Sequence, residues 1–398
     1  MQPAEGTHIL FLDNDGILFS EPAQKLFHLN TMATFIWCLL EEGKERSAIV
    51  TNLQSTFALS KFDATQYLEQ TQGLFQTLGV LKGFEPAPTI DEAATTESPA
   101  LMKYDDDSFI TERRYRLLSS HIRMRFSHSE QLSYIEPILS HLLEHNPSTA
   151  TVNLDIAQEN SGRIVLCRNQ VPVLSCNELP RLAPLVKSLV WQTAVCDHAF
   201  FLDIHAGVVG DGEYCYLLPA ASGSGKSTLT AALISHGFEY FSDEVALLQE
   251  SDLLVQPVPL AICIKDTGTA ALSHFFPQLS DQNLHLRGDG KRVIYVPPPI
   301  QALPPAETLR PVGAIFFPYY TPDQQTKLES IPAIEALLSL LQECLIVDTH
   351  LNKKKVSRLL DWIERTPCYR LTISNLNDAV KLIKSISSEL LQSHANNN

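Results

Sequence analysis

The stretch Ala220-Ala221-Ser222-Gly223-Ser224-Gly225-Lys226-Ser227-Thr228 is the most informative part of this sequence. An apolar run at 214–218 precedes it as a predicted strand, and helix-forming residues at 229–234 follow it. A glycine-rich loop that joins a strand to a helix and carries Gly-Lys-Ser is the pattern of a phosphate-binding P-loop. The stretch therefore predicts an α/β (α+β) protein with a nucleotide site, and the alternative is an ordinary Gly/Ser connection before a helix.

The residue types in this loop each have a reason to contact phosphate. Glycine at 223 and 225 lets backbone N–H groups turn toward phosphate oxygens, and the helix N-terminus adds partial positive charge. Lys226 can reach the β- and γ-phosphates, and the Ser227 hydroxyl can bind Mg²⁺. We predict that the nucleotide is bound by Ser222, Gly223, Ser224, Gly225, Lys226, Ser227 and Thr228.

Composition narrows the class of protein. The 398 residues suffice for two or three domains. The net charge of -15 argues against a general nucleic-acid binder, because affinity for the phosphate backbone comes from clustered Lys and Arg. The eight cysteines are scattered without a C-x-x-C pair, which is typical of a reducing compartment. With no signal pattern and no apolar run of roughly 20 residues, we expect a cytoplasmic protein without a membrane partner.

Residues 1–82 predict a small domain of their own. Short strand patterns at 8–12, 17–19 and 25–29 include a β-hairpin with turn-forming residues at 13–16. Apolar residues at helical spacing then predict three helices. Strands followed by three helices indicate a winged-helix-like arrangement.

The segment 11–81 resembles the PqqD family of peptide chaperones, above all in Leu29-Asn30-Thr31-Met32-Ala33-Thr34-Phe35-Ile36-Trp37 and in Leu78-Gly79-Val80-Leu81. In that family a leader peptide adds a strand beside the third strand and packs on the last helix. The resemblance implies that a substrate peptide or small protein binds the N-terminal domain. The alternative is a winged-helix domain that only docks on the rest of the chain.

The remaining boundaries follow from composition. Residues 83–107 are rich in Pro, Thr and acidic side chains, which predicts an extended linker. Residues 108–200 predict an α+β lead-in region without a motif, and 201–392 predict the nucleotide-binding domain. The Asn-rich end, 393–398, predicts a disordered tail.

Three features around the loop occur in the same order as in the HPr kinase/phosphorylase family. They are His205, inside a predicted strand at 201–209 that begins the hairpin before the loop, then the loop itself, and then Asp243-Glu244 one helix after it. The sequence resembles that family, whose nucleotide fold is shared with phosphoenolpyruvate carboxykinases. The resemblance implies an ATP-dependent kinase that requires Mg²⁺.

Carried over by position, the resemblance assigns a role to each residue. Lys226 and Ser227 would hold phosphate and Mg²⁺, and Asp243 would be the general base for an acceptor hydroxyl. Glu244 would be a second metal ligand, and His205 would lie near Asp243 and orient it. Phosphoryl transfer needs little beyond such positioning and positive charge around the γ-phosphate.

Arg310 is the predicted source of a further charge contact, and Lys265, Lys291 and Arg292 are the alternatives. Three positions depart from the family pattern. Ala220 replaces the first loop glycine, Thr228 stands where an acid is common, and Glu244 replaces the second Asp.

Together these features predict a kinase that phosphorylates a Ser or Thr hydroxyl on a peptide held by the N-terminal domain, in modified-peptide biosynthesis. One alternative is a kinase of a small metabolite or a folded carrier protein. Another is a nucleotide-binding regulator that transfers no phosphate. A homo-oligomer is compatible with the sequence.

Overall fold

The computed structural model describes residues 2–84, 104–145, 149–195, 198, 200–221, 223–277, 279, 282–347 and 350–397. The chain divides into two compact units. Unit 1 comprises Met1–Thr95, Pro332–Leu338 and Thr349–Thr366, and unit 2 comprises Thr96–Ile331, Ser339–Asp348 and Pro367–Asn398. The predicted α+β fold class is confirmed, since both helices and sheets are present.

Unit 1 begins with an antiparallel sheet in the order β1-β2-β3, followed by three helices. These elements are β1 (Thr7–Leu12), β2 (Asp15–Ser20), β3 (Lys25–Leu29), α1 (Thr31–Glu41), α2 (Arg46–Phe57) and α3 (Lys61–Thr77). Asn30 caps α1 by accepting a hydrogen bond from the Ala33 N–H, as its residue type favours. The rings of Trp37 and Phe75 meet edge to face in the core, 5.1 Å between centroids.

Two short segments from much later in the chain complete unit 1. Helix α9 (Lys353–Arg365) packs against β1. The Gln24 side chain exchanges hydrogen bonds with the backbone of Leu351 at 2.9 and 2.7 Å, and Asp13 accepts from the Ile334 N–H at 3.0 Å. The predicted single domain over 201–392 was therefore too inclusive, because these contacts place 332–338 and 349–366 with the N-terminal unit.

The described residues of unit 2 form four sheets. A five-stranded sheet runs in the order of β4 (Thr111–Leu117), β5 (Ser120–Phe126), β6 (Val152–Gln158), β7 (Ile164–Arg168) and β8 (Val171–Cys176), with helices α4 (Ser129–Leu139) and α5 (Leu182–Val195). This lead-in region is not separate from the later strands, because Val190 of α5 shares one core cluster with Leu247 and Tyr295.

The other three sheets surround the P-loop. The six-stranded sheet has the order β12-β10-β11-β18-β21-β19, the four-stranded sheet β14-β13-β9-β20, and the three-stranded sheet β15-β17-β16. Their strands are β9 (Phe200–Ile204), β10 (Ala206–Gly210), β11 (Cys215–Pro219), β12 (Glu239–Ser242), β13 (Ala246–Gln249), β14 (Val255–Gln256), β15 (Ile262–Lys265), β16 (His285–Leu286), β17 (Arg292–Val296), β18 (Val312–Tyr320), β19 (Lys327–Ser330), β20 (Cys344–Val347) and β21 (Cys368–Ile373). The remaining helices are α6 (Lys226–Ser235), α7 (Thr269–Leu272), α8 (Ala333–Gln342) and α10 (Leu376–Asn397).

The C-terminal residues are helical where the sequence predicts disorder. Helix α10 continues to Asn397, so the predicted disorder of 393–398 was wrong for its described part. The Ser393 hydroxyl donates to the Glu389 carbonyl at 2.9 Å, and the His394 ring packs edge to face on Tyr214. Most of the predicted linker, 85–103, lies outside the described residues. No helix in the described part of the chain has the length and apolar character to span a membrane.

Candidate functional site

A cavity of about 650 Å³ lies in unit 2 at the P-loop. Pockets of this size hold nucleotide-sized ligands. One part of its lining is apolar and includes Phe275, Ile373 and Leu376. The polar part includes His205, Lys226, Ser227, Thr228, Asp243, Glu244, Lys265, Thr267, His274, Arg287 and Tyr320, together with Ser374, Asn375 and Asn377.

The P-loop adopts the backbone that its glycines permit. Gly223 and Gly225 have φ angles of 111° and 91°, a region that residues with a side chain rarely adopt. Helix α6 begins directly after Gly225, without a side-chain cap and without an acid in its first turn. The first N–H groups of a helix have no intrahelical partner, so this end of α6 suits an anion.

Most of the predicted loop residues line the cavity. Gly223, Gly225, Lys226, Ser227 and Thr228 do so. The serines at 222 and 224 differ from this set. The residue at 224 is not part of the lining, because its hydroxyl donates to the carbonyl of residue 221 at 2.7 Å. The residue predicted at 222 lies outside the described part of the chain.

The predicted histidine and acidic residues lie at two places where the chain passes between the six-stranded and the four-stranded sheet. Strands β10 and β12 pair in the six-stranded sheet, where Val208 faces Ser242, and β9 and β13 pair in the four-stranded sheet, where Ile204 faces Ala246. The connections between these strands therefore lie side by side. One carries His205, and the other carries Asp243 and Glu244.

This arrangement corrects one detail of the sequence interpretation. The apolar run at 201–209 was predicted as a single strand with His205 inside it. The chain instead leaves the four-stranded sheet at Ile204 and joins the six-stranded sheet at Ala206, and His205 is the residue between them. An apolar run alone does not show which sheet each half of it joins.

Asp243 is a buried carboxylate, 3% exposed, on the cavity wall. Its Oδ2 accepts a hydrogen bond from the Cys263 backbone N–H at 3.0 Å. Its Oδ1 has no hydrogen-bond partner within the described part of the chain. Burial raises the pKa of Asp243 to about 6, although Lys226 and Lys187 oppose this effect. A carboxylate with such a pKa can accept a proton near neutral pH.

Lys226 is the matching buried cation, 7% exposed. Its Nζ likewise has no hydrogen-bond partner in the described ranges. Burial lowers the pKa of Lys226, and the nearby Asp243 and Glu244 partly offset the effect. Buried charged groups normally have partners, so an unpaired ammonium and an unpaired carboxylate oxygen on one cavity fit a phosphate and a hydroxyl ligand.

Glu244 has a partner that sequence reasoning missed. The Nζ of Lys187, on α5, donates to Glu244 Oε2 at 2.6 Å. Burial opposes ionisation of Glu244, but Lys187 and then Lys226 lower its pKa to about 2. A lysine inside the apolar segment Leu-Val-Lys-Ser-Leu-Val was the available signal, since Lys is almost never fully buried unless it is paired.

The metal-binding roles of Ser227 and Glu244 stay predictions. Both residues line the cavity. Among the described residues, no group of three or more His, Cys, Asp or Glu side chains is arranged to hold a metal ion. Protein sites for Mg²⁺ usually supply one or two carboxylates, and substrate phosphates and water supply the rest. The two residues present fit that pattern.

His205 contacts Glu343, a residue that the sequence did not single out. The Nδ1 atom of His205 lies 3.4 Å from Glu343 Oε2, and the His205 backbone N–H donates to the Glu343 carbonyl at 2.8 Å. Burial and then Lys226 lower the pKa of His205, with Glu244 and Glu343 acting against them. The role of orienting Asp243 remains a prediction, because the partner that the structure gives is Glu343.

Arg310 is not a cavity residue, so its predicted charge contact was wrong. Its guanidinium pairs with Glu239 at 2.8 and 3.4 Å, and its backbone bridges to Val255. The ion pair with Glu239 accounts for the charge of Arg310 without a ligand. Its place at the start of a strand beside the P-loop strand gave no information on where the side chain points.

Two other cations line the cavity instead. Lys265, one of the predicted alternatives, places its Nζ 3.7 Å from the position that a Cβ on Gly223 would occupy. Arg287, which sequence reasoning missed, lines the same cavity. Burial, and then Lys291 and Arg287, lower the pKa of Lys265. The other two alternatives form ion pairs outside the lining, Lys291 with Asp289 and Arg292 with Asp266.

Comparisons with known proteins add little to this geometry. No protein-family model matches the chain, and no curated protein matches it. Among solved structures, one similar chain is TbiB1 in complex with the TbiA(beta) leader peptide. It shares 21% sequence identity over 21% of this chain and 98% of that chain, with a TM-score of 0.20. A TM-score of this size carries no argument about fold or function, so the proposals below rest on the side chains of the site.

Proposed function

We propose that this chain is an ATP- and Mg²⁺-dependent phosphotransferase whose acceptor is a Ser or Thr hydroxyl on a peptide or small protein. One observation carries the proposal. Lys226 Nζ and Asp243 Oδ1 are buried on the same cavity at the P-loop, and neither has a hydrogen-bond partner in the described part of the chain. A phosphate and a hydroxyl are the ligand groups that would satisfy them.

The chemistry proposed for the residues is simple. Asp243 Oδ1 accepts the proton of the acceptor hydroxyl, and the oxygen of that hydroxyl forms a bond to the γ-phosphorus. The bond from that phosphorus to the oxygen bridging it to the β-phosphate breaks, so ADP leaves. Lys226, the backbone N–H groups at the start of α6, and the cations Lys265 and Arg287 stabilise the negative charge of the transferred group.

Bound Mg²⁺ would supply charge neutralisation between the β- and γ-phosphates. Ser227 and Glu244 are the residues that would hold it. Ionisation of Glu244 suits this role, because its lowered pKa keeps it anionic across the physiological range.

The peptide part of the proposal is supported by features of unit 1. Strand β3 pairs only with β2 among the described strands, which leaves an edge that can accept a further strand. Asn30, directly after β3, donates to the Tyr67 hydroxyl on α3 at 3.3 Å. Leu74 is two helical turns further along the same face of α3 and is 48% exposed. An exposed apolar side chain on α3, the helix that Asn30 contacts at the end of β3, suits an extended peptide.

The experiment is transfer of label from γ-labelled ATP with Mg²⁺ into peptide, folded-protein and metabolite fractions of a cell lysate. The full-length chain is compared with Asp243→Asn and Leu74→Glu. We expect label in peptides, lost with Asp243→Asn and reduced with Leu74→Glu. Removal of 1–82 is a poor test, because it strips α9 of its packing partner β1.

The other outcomes discriminate between functions. Label in metabolites or folded proteins that is unaffected by Leu74→Glu would favour a kinase with another acceptor. Nucleotide binding without any label that depends on Asp243 would favour a nucleotide-binding regulator.

A further inference from the structure

Lys187, on α5, is a charged residue that contacts the site from outside the P-loop and its neighbouring strands. Its side chain is 5% exposed, and its Nζ bonds to Glu244 at 2.6 Å. The Nζ also lies 5.2 Å from the centroid of the Tyr295 ring, on whose face a cation is attracted. Lys187 does not line the cavity, whereas Glu244 does. Lys187 therefore contacts the cavity wall only through its hydrogen bond to Glu244, although its charge also acts on Lys226 and Asp243.

The ion pair between Lys187 and Glu244 bears on which groups Lys226 can contact. Lys226 is buried near Asp243 and Glu244, both of which affect its pKa. A buried ammonium beside carboxylates is strongly attracted to them. Even so, within the described ranges Lys226 forms no hydrogen bond, while Lys187 holds Glu244.

We propose that Lys187 is a positioning residue of the phosphotransferase site. By holding Glu244, it prevents Glu244 from capturing Lys226, so Lys226 stays available for phosphate. The inference rests on the proposed function of the same site. Without Lys187, Glu244 would be a partly buried anion without its partner, and Lys226 is the next cation whose charge acts on it.

The test measures affinity for ADP and for tripolyphosphate without Mg²⁺, by calorimetry on the full-length chain. The variants are Lys187→Met, Glu244→Gln and the double variant. We expect Lys187→Met to lower the affinity for both ligands at least about tenfold. Glu244→Gln should bind at least as tightly as wild type, because it removes a negative charge near the phosphates. The double variant should bind within about threefold of Glu244→Gln, because the anion that Lys187 holds is no longer there to capture Lys226.

A matched control separates positioning from general destabilisation. Arg125 and Asp155 form another buried ion pair of unit 2, at 2.6 Å, and neither residue lines the cavity. Breaking a buried pair from one side costs about 3–5 kcal/mol, so Arg125→Met should lower the unfolding midpoint as Lys187→Met does. It should leave the affinity for ADP unchanged. Lys187→Arg, which keeps the charge and a donor, should restore part of the affinity.

The outcomes that would overturn the inference are distinct from failure of the proposed function. Wild-type affinity in Lys187→Met, or a double variant much weaker than Glu244→Gln, would overturn the inference alone. The comparison of the double variant with Glu244→Gln remains a valid test even if Lys187→Met does not fold. Absence of ADP and tripolyphosphate binding in the wild-type chain would overturn the proposed function and the inference together.

Discussion

The Cys263 backbone N–H donates to only one oxygen of the Asp243 carboxylate, Oδ2, at 3.0 Å. The other oxygen, Oδ1, has no partner among the described residues. One oxygen thus fixes the orientation of the carboxylate, and the other is left to receive a proton. An asparagine with its carbonyl oxygen toward Cys263 would keep the first interaction and lose the second, which makes Asp243→Asn the most informative substitution in the site.

Activity should depend on pH through Asp243. Its pKa of about 6 means that the carboxylate is ionised above that pH and protonated below it. Because a general base must be ionised, kcat/KM for the acceptor should rise about tenfold per pH unit up to about pH 6 and then level off. Initial rates between pH 4.5 and 8 measure this limb. A profile that stays flat from pH 5 to 7 would argue against Asp243 as the base.

Asp243→Asn should also stabilise the fold above neutral pH. The folded-state pKa of about 6 exceeds the ordinary value of 3.8, so ionisation of Asp243 costs folding free energy. The cost is absent below about pH 4, grows as pH rises, and is fully present above about pH 6. We expect the variant to be more stable than wild type by on the order of 2 kcal/mol at pH 7.5.

Urea unfolding of the two proteins at pH 4.5 and pH 7.5 measures this difference. Other titrating groups, including Glu244, are present in both proteins and cancel to a first approximation. A stability difference that is the same at the two pH values would contradict the prediction.

The cations on the cavity wall should contribute to nucleotide affinity, whereas Arg310 should not. We expect Lys265→Met and Arg287→Met each to weaken ATP binding about three- to tenfold, because each removes a charge-assisted contact to phosphate. Arg310→Met should keep wild-type affinity and lower stability by breaking the pair with Glu239. Titration calorimetry and thermal unfolding report these effects. Loss of ATP affinity in Arg310→Met would restore the original prediction for that residue.

Gly207 on β10 should tolerate no side chain. A Cβ there would lie 2.3 Å from Thr230 Oγ1 and 3.4 Å from Lys226 Cγ, because α6 packs directly on this strand. Gly207→Ala should lower stability by about 1–3 kcal/mol through overpacking, and should weaken nucleotide binding by displacing Lys226.

The double variant Gly207→Ala, Thr230→Ala removes the clashing hydroxyl and should regain part of the stability. Gly288→Ala is the matched control, since a Cβ at that position meets nothing within 4 Å. Equal stability of Gly207→Ala and Gly288→Ala in chemical unfolding would count against the close packing of α6 on β10.

Local features of the site were predictable from the sequence, and contacts between distant segments were not. The P-loop could be predicted because Gly223 and Gly225 serve a backbone that other residues rarely adopt. The nearness of His205 and Asp243-Glu244 to the loop came from spacing and a family resemblance. Their actual placement depends on two sheet crossings, and hydrophobic pattern does not specify which strands pair.

The same distinction explains the residues that were missed. Lys187 reaches Glu244 from 57 positions earlier in the chain, and Arg287 lines the cavity from a different sheet. Arg310 was predicted to supply a further charge contact, but its side chain is held by Glu239. Pairing between distant charges is set by tertiary packing, which a single sequence does not reveal.

The assembly of unit 1 from three stretches of chain has a consequence for synthesis on the ribosome. Because α9 ends at Arg365, strand β1 lacks this packing partner until residues 353–365 have been made. Domains generally fold in the order in which they are translated, N-terminal first. Here β1 is translated before the strands around the P-loop but gains its partner after most of them, so β1 must stay uncovered while those strands are being translated.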